Sequence, residues 1–491
     1  MKKALSFILC AVMLVMCVVP CFAAENAKAP QGQKECNYPV ILVRGMDFTG
    51  LTADMGTENE RGAVKSVTAG SIFKTVFKVL STSLFTLSLD RGVEQIVDFV
   101  QDIMGSLACD ENGNSKYNVT TVTYDGAVAL HPELYDVEEA ACEYGMAKTL
   151  ADVYGAENIY FYVYDWRLDP YDNADDLNAV IDRALNEHPG KEKVDIVCCS
   201  MGGMQTSVYM GKYGYSRINK VMFMSAAFLG AYVTTDLFQG KVQITADNLA
   251  NYCAYASRDN EKLGKLVSFA SKIGIFKLAQ SLAKKFTDRY SEMAYSEFLL
   301  DTFGTMPGFW ALVLPEAYDD CMEYMFPDDA ARAKYAGVIE KAQRLHELSL
   351  EREDMLKNAA EDGVSITVTA NYDIPLIPVY ERAGVNGDGI LETEPMSGFA
   401  KVAAYGEKLE GVTAGRYVSA DLAVDASGCL FPDYTWIIKG APHVSGSVNT
   451  DYADFLVWLV GFEGQPTIDS SVLYPQFMLS GTDETLSPLT R

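Results

Sequence analysis

The chain is short of histidine, tryptophan and positive charge. Only four histidines and four tryptophans occur in 491 residues, and 40 Lys and Arg face 66 Asp and Glu, for a formal net charge of −26. A body so acidic repels polyphosphate backbones, which excludes nucleic acid as a partner. Four histidines form no cluster with metal-ligand spacing, so neither a metal nor another cofactor is expected. Cysteine is sparse as well. Eight remain beyond the first 23 residues, too few to staple a fold of this length, so the core must be apolar packing. Long apolar runs are also missing, with one exception at the start. "MKKALSFILCAVMLVMCVVPCFA" joins two lysines to an apolar stretch and small residues at Cys21 and Ala23. Residues 1–23 are therefore expected to be a secretory signal peptide cut after Ala23, which implies a secreted protein; an uncleaved anchor is the competing interpretation.

What is present is a rhythm. Six short runs rich in β-branched and aromatic residues occupy 38–45, 158–166, 193–200, 220–228, 364–372 and 434–443. Near-continuous apolar runs fit strands buried on both faces of a parallel sheet. Helical patterns at 136–155 and 173–190 each end in glycine. The expected fold class is α/β with right-handed crossovers. Residues 24–229 read as the first part of the core, interrupted by a helical insertion at about 50–115. Residues 230–362 read as a helical cap over the carboxyl edge of the sheet, where open α/β sheets bind ligands. Residues 363–465 complete the core, and the tail 466–491 shows no evident role.

The chemistry concentrates in "VDIVCCSMGG" (194–203), a strand driven into a turn and a helix. A nucleophile elbow needs small residues two before and two after the nucleophile, because strand and helix backbones nearly touch there. Around Ser200 these are Cys198 and Gly202, whereas registering on Cys199 would put Val197 and Met201 in the tight positions. Ser200 is the candidate nucleophile. Upstream, "VILVRGMDFTGL" opens from a buried strand into a glycine turn, which points to the Met46 and Met201 amides as oxyanion donors. Of the histidines, His131 sits in a polar approach to a helix, His188 in a surface turn and His346 in a charged helix. Only His443, in "IIKGAPHVSGS", leaves a late buried strand as a base mounted above a sheet should. The candidate acid is Asp388 in "NGDG", with Asp373 as runner-up. A calcium-loop interpretation of that stretch fails at its ends, where Gly384 and Pro395 replace the carboxylates it needs. Ser200, Asp388 and His443 follow the chain order of the α/β-hydrolases.

Together "PVILVRG", "YFYVYDWRLDP", "KVDIVCCSMGG", "NGDGILETE" and "APHVSG" resemble the lecithin:cholesterol acyltransferase-like branch of the α/β-hydrolases. The resemblance covers roughly 36–50, 145–230 and 365–460, and its most specific part is Tyr164-Asp165-Trp166-Arg167. It implies the α/β-hydrolase fold, Ser200, Asp388 and His443 as catalytic residues, Met46 and Met201 at the oxyanion positions, and Asp165, Trp166 and Arg167 beside the acyl site. It also implies ester chemistry on lipids: hydrolysis of phospholipids or acylglycerols, or acyl transfer to an alcohol through the same residues. Cys198-Cys199 stands where the family usually has Gly-His, and Arg44 where related hydrolases often have histidine. A non-catalytic lipid-binding protein on the same fold is the alternative from another class.

One segment bears on the lipid independently. "KLGKLVSFASKIGIFKLAQSLAKKFT" (262–287) holds six lysines and no acid, and Leu263, Leu266, Val267, Ala270, Ile273 and Phe276 recur at helical spacing. Two interpretations fit. A cap helix could bury its apolar side on the sheet and solvate its lysines, the plainer expectation; an interfacial lid could rest on a lipid surface. "MPGFWALVLPE" (306–316) could likewise line an acyl tunnel or fill the cap core.

Overall fold

A computed structural model describes residues 34–47, 50–64, 105–134, 143–290, 299–443, 450–481 and 485–490. The expected signal peptide lies outside these residues. Eight strands form the central sheet: β1 (Val40–Val43), β2 (Ile159–Tyr162), β3 (Val194–Ser200), β4 (Ile218–Ala226), β5 (Ser365–Tyr372), β6 (Thr435–Lys439), β7 (Phe477–Ser480) and β8 (Leu486–Pro488). Their order across the sheet is β8-β7-β6-β5-β4-β3-β1-β2. Every neighbouring pair is parallel except β7 with β8. The fold is thus α/β with a mostly parallel sheet, and the six expected strands all form.

Strand periodicity divides the core in two. Ile41, Val43, Ile196, Cys198 and Phe223 point to one face, and Val40, Leu42, Val197, Cys199 and Met222 to the other. The first face is covered by α2 (Pro170–Glu187) and α3 (Met201–Tyr213), together with α8 (Ala336–Leu350) and α9 (Arg352–Glu361). The second is covered by α1 (Glu143–Tyr154) and α10 (Thr450–Gly461). Local chemistry sets where these helices start. Asp169 caps α2 by accepting the Tyr171 amide at 2.9 Å, and Pro170 occupies the first helical position, where its missing N–H costs nothing.

The chain runs from β1 out to β2 on one side, then back past β1 to β3 on the other. That reversal opens a crevice at the carboxyl ends of β1 and β3, the place where such sheets bind ligands. Between β4 and β5 comes the helical insertion, which begins with α4 (Tyr232–Phe238), α5 (Ala246–Ala256), α6 (Glu261–Lys272) and α7 (Ile275–Tyr290). It is seated on the loop after β5: the Gln243 amide donates to Val379 O at 3.0 Å and the Glu381 amide to Lys241 O at 3.0 Å.

Two expectations about the chain's organisation change. The flanks of the stretch at 50–115 carry strands and one short 3-10 turn (Gly105–Leu107): Leu51–Ala53, Arg61–Gly62 and Val119–Thr121 make a small antiparallel sheet, while 65–104 lie outside the described residues. The tail has a structural role, because it supplies β7 and β8 and so extends the sheet beyond β6. Its apolar positions are scattered and few, which hides so short a pair of strands from periodicity. Among the described residues, Cys36, Cys109, Cys198, Cys199, Cys253, Cys321 and Cys429 form no disulfide with one another.

Candidate active site

Ser200 is the last residue of β3, with φ 52° and ψ −129°, a backbone conformation that L-residues rarely adopt. The strain lifts the side chain off the sheet as α3 begins at Met201. At positions 202 and 203 only glycine fits. A Cβ on Gly202 would lie 2.5 Å from Val43 O and 2.7 Å from Arg44 O, and one on Gly203 would lie 2.6 Å from the Ala226 Cβ. Helix α3 therefore starts flush against the ends of β1 and β4. The neighbouring thiols turn away from the site. Cys198 is wholly buried, and burial pushes its thiol up to about 12; Cys199 is buried on the opposite face against the Met146 sulfur at 3.4 Å. Burial keeps the Cys198 thiol protonated near neutral pH, and neither thiol can reach the crevice. The half-buried hydroxyl of Ser200 is the group that can.

Beyond β1, the Arg44 amide extends the pairing with β2 by donating to Tyr162 O at 3.1 Å, and the Arg44 guanidinium pairs with Asp47. Trp166 Nε1 donates to Asp47 O at 3.0 Å. Both ends of the turn holding Met46 are thus tied down, while the Met201 amide opens α3 and points out of the helix as first-turn amides do. Gly308 bears on both sides of this arrangement: a Cβ there would sit 1.9 Å from Trp166 O and 2.9 Å from Met201 Cε.

The Asp165-Trp166-Arg167 run is a brace behind this turn. Arg167 donates from Nε to Asp165 Oδ1 at 2.9 Å and from Nη2 to Oδ2 at 2.6 Å, and from Nη1 to Leu107 O at 2.9 Å. Its side chain is 0% exposed. The charges of the pair satisfy each other, so Asp165 and Arg167 serve here as a structural brace.

On the far side of the sheet, β5 ends at Tyr372, and the loop returns as a two-stranded ribbon of Ile374–Pro375 with Asn386–Gly387. Asp388 comes next and is buried. Its Oδ1 accepts the amides of Ile390 at 3.0 Å and Leu391 at 2.8 Å, and its Oδ2 lies 2.6 Å from His443 Nδ1. The His443 amide also donates to Asp388 O at 3.0 Å, so backbone and ring are fixed by one residue. The carboxylate selects the tautomer protonated at Nδ1, which leaves Nε2 the basic nitrogen. Asp373, the runner-up, faces Lys439 at 3.6 Å instead. The other histidines lie elsewhere. His131 bonds Asp125 O, His188 bonds Ala184 O at the end of α2, and His346 stacks on Tyr318.

Asn371, which sequence reasoning missed, connects the two halves. Buried at the end of β5, it donates from Nδ2 to Ser225 Oγ at 2.8 Å and to Pro442 O at 3.2 Å. Ser225 precedes Ala226, the last residue of β4 and the register partner of Ser200, and Pro442 precedes His443. One side chain thus bridges the Ser200 side of the edge to the His443 loop. An amide in a strand buried on both faces was the available signal.

Glu392 was also missed. It is buried, accepts the Tyr232 and Val233 amides at 3.0 and 2.9 Å and the Tyr380 hydroxyl at 2.5 Å, and so pins α4 to the acid loop. Burial outweighs those donors and pushes its carboxyl up from 4.5 to about 7. The folded state then binds this proton more tightly than the unfolded chain. Stability attached to Glu392 is greatest below pH 4.5 and falls as pH rises toward 7, by about 3 kcal/mol in all. Melting temperature measured against pH is expected to show that decline, and Glu392→Gln to flatten it; an unchanged slope would contradict the assignment.

No protein-family model matches the chain, and no curated protein matches it. Among solved structures, it is similar to a chain described as "The crystal structure of Tle4-Tli4 complex", at 11% identity and a TM-score of 0.33, over 87% of this chain and 90% of that one.

Proposed function

We propose that this protein is a secreted serine hydrolase of the α/β-hydrolase fold that cleaves carboxylic esters of lipids, with residues 230–362 as its cap. The Asp388–His443 pair carries the reading: a buried carboxylate, fixed by two amides, orients an imidazole on the edge that also bears a strained serine turn. In the reaction, His443 Nε2 takes the hydroxyl proton as Ser200 Oγ attacks the ester carbon. The Met46 and Met201 amides receive the oxyanion, each worth on the order of 3 kcal/mol in the transition state. Collapse expels the alcohol, which leaves with the proton from His443, and water then repeats the sequence on the acyl-enzyme. Asp388 holds the ring in place and stabilises the imidazolium that forms.

Next to Met201 the cap packs as an aromatic core. Phe309 meets Trp166 and Phe303, with centroids at 5.9 and 5.3 Å, and Trp310 meets Phe238 at 4.9 Å. A fluorophosphonate probe tests the reading directly. It is expected to label the wild type and Cys199→Ala and to leave Ser200→Ala unlabelled. Labelling that survives in Ser200→Ala, or a wild type that neither labels nor cleaves a panel of acyl esters, would overturn it.

A further inference from the structure

The cationic segment does not bury one apolar face; it has two. Val267 of α6 and Phe276 of α7 turn inward with Ala246 to form a small core of their own, against Leu249, Cys253 and Ala270. Leu266, Phe269 and Ile273, three and then four positions apart, turn outward and are 50%, 58% and 57% exposed. The chain bends at Gly274, whose φ of 78° suits glycine alone, and Ile275 and Leu278 continue the outward face on α7. Five large apolar side chains thus stand in solvent within thirteen residues, the densest such group among the described residues. Scattered exposed leucines need no explanation, but a contiguous set does.

Charge identifies what covers it. Lys262, Lys265, Lys272 and Lys277 are exposed around this face, and residues 262–287 contain no acid in a chain of net charge −26. A second copy of the chain would set these lysines against themselves. An anionic bilayer meets both features at once, since headgroups neutralise the lysines while Phe269 and Ile273 enter the acyl boundary. We infer that α6 and α7 dock this protein on anionic lipid surfaces, with Leu266, Phe269 and Ile273 inserted and the lysines on the headgroups. The surrounding acidic body is repelled, so contact is confined to this face and the orientation is fixed. Helix α5, which packs on both helices, also packs on the loop that carries Asp388, where Asn248 lies against Gly384. Docking therefore brings the crevice toward the lipid.

The inference deepens the lipid-ester reading without depending on it, because binding needs no catalysis. The test uses the full chain carrying Ser200→Ala, sedimented with vesicles of phosphatidylcholine alone or equimolar with phosphatidylglycerol. Binding is expected on the anionic vesicles, weakening as salt rises. Phe269→Asp with Ile273→Asp is expected to lose at least about tenfold in binding, and Lys272→Glu with Lys277→Glu to lose the anionic preference. In the Ser200 background both pairs should leave the melting temperature and the rate on a water-soluble ester unchanged. Undiminished binding by the aspartate pair would overturn the inference, as would a wild type retained by neither vesicle. A dimer that this pair converts to monomer would overturn it as well.

Discussion

Asp388→Asn is expected to lower kcat on a soluble ester by about ten-thousandfold while the fold stays intact. The asparagine can keep its oxygen on the Ile390 and Leu391 amides, which hold Asp388 Oδ1 at 3.0 and 2.8 Å. Its NH2 then faces His443 Nδ1, where Oδ2 stood at 2.6 Å. A donor there forces Nδ1 to accept, so the ring proton moves to Nε2 and the base is lost. Melting temperature should barely move, because shape and amide contacts are preserved. Steady-state kinetics alongside thermal melting would decide; a loss under about tenfold would mean that Asp388 does not set the tautomer.

Gly202→Ala is expected to damage both stability and rate with a single methyl. Its Cβ would stand 2.5 Å from Val43 O, 2.7 Å from Arg44 O and 3.1 Å from Arg44 C, all backbone atoms with no flexible end to yield. Overpacking of this kind costs about 1–3 kcal/mol in stability. The same push moves the turn that presents Met46, and losing one oxyanion donor removes about a hundredfold to a thousandfold from kcat. Gly264→Ala is the control. Its Cβ meets nothing closer than 3.6 Å within α6, so the helix should gain slightly. Urea unfolding and kcat on both variants test the pair, and a Gly202→Ala enzyme with unchanged rate would show that the turn does not set the oxyanion geometry.

Ser200, Asp388 and His443 were picked out by their places at strand ends: Ser200 closes β3, His443 follows β6 and Asp388 lies in the loop after β5, where the structure pairs it with His443. The choice of Ser200 over Cys199 rested on size alone: the contacts at Gly202 and Gly203 are those the spacing demanded. Arg167 was placed beside the acyl site by resemblance alone; sequence names a guanidinium without naming its partners, and the segment it ties, Leu107 to Val119, lies some fifty residues upstream. Asn371 and Glu392 escaped for the same reason. Each acts through groups supplied by distant parts of the chain. The cationic helices were legible as amphipathic, but the split into an inward and an outward face depends on how α5 packs against them, which periodicity does not encode.

The edge strand β8 ends in Pro488, a residue with no amide hydrogen to offer a stranger. Seven parallel, hydrophobic strands would otherwise expose one flank of their ladder to any other extended peptide, the usual seed of aggregation. By closing that flank with a short antiparallel strand and a proline, the tail gives the molecule colloidal protection at high concentration.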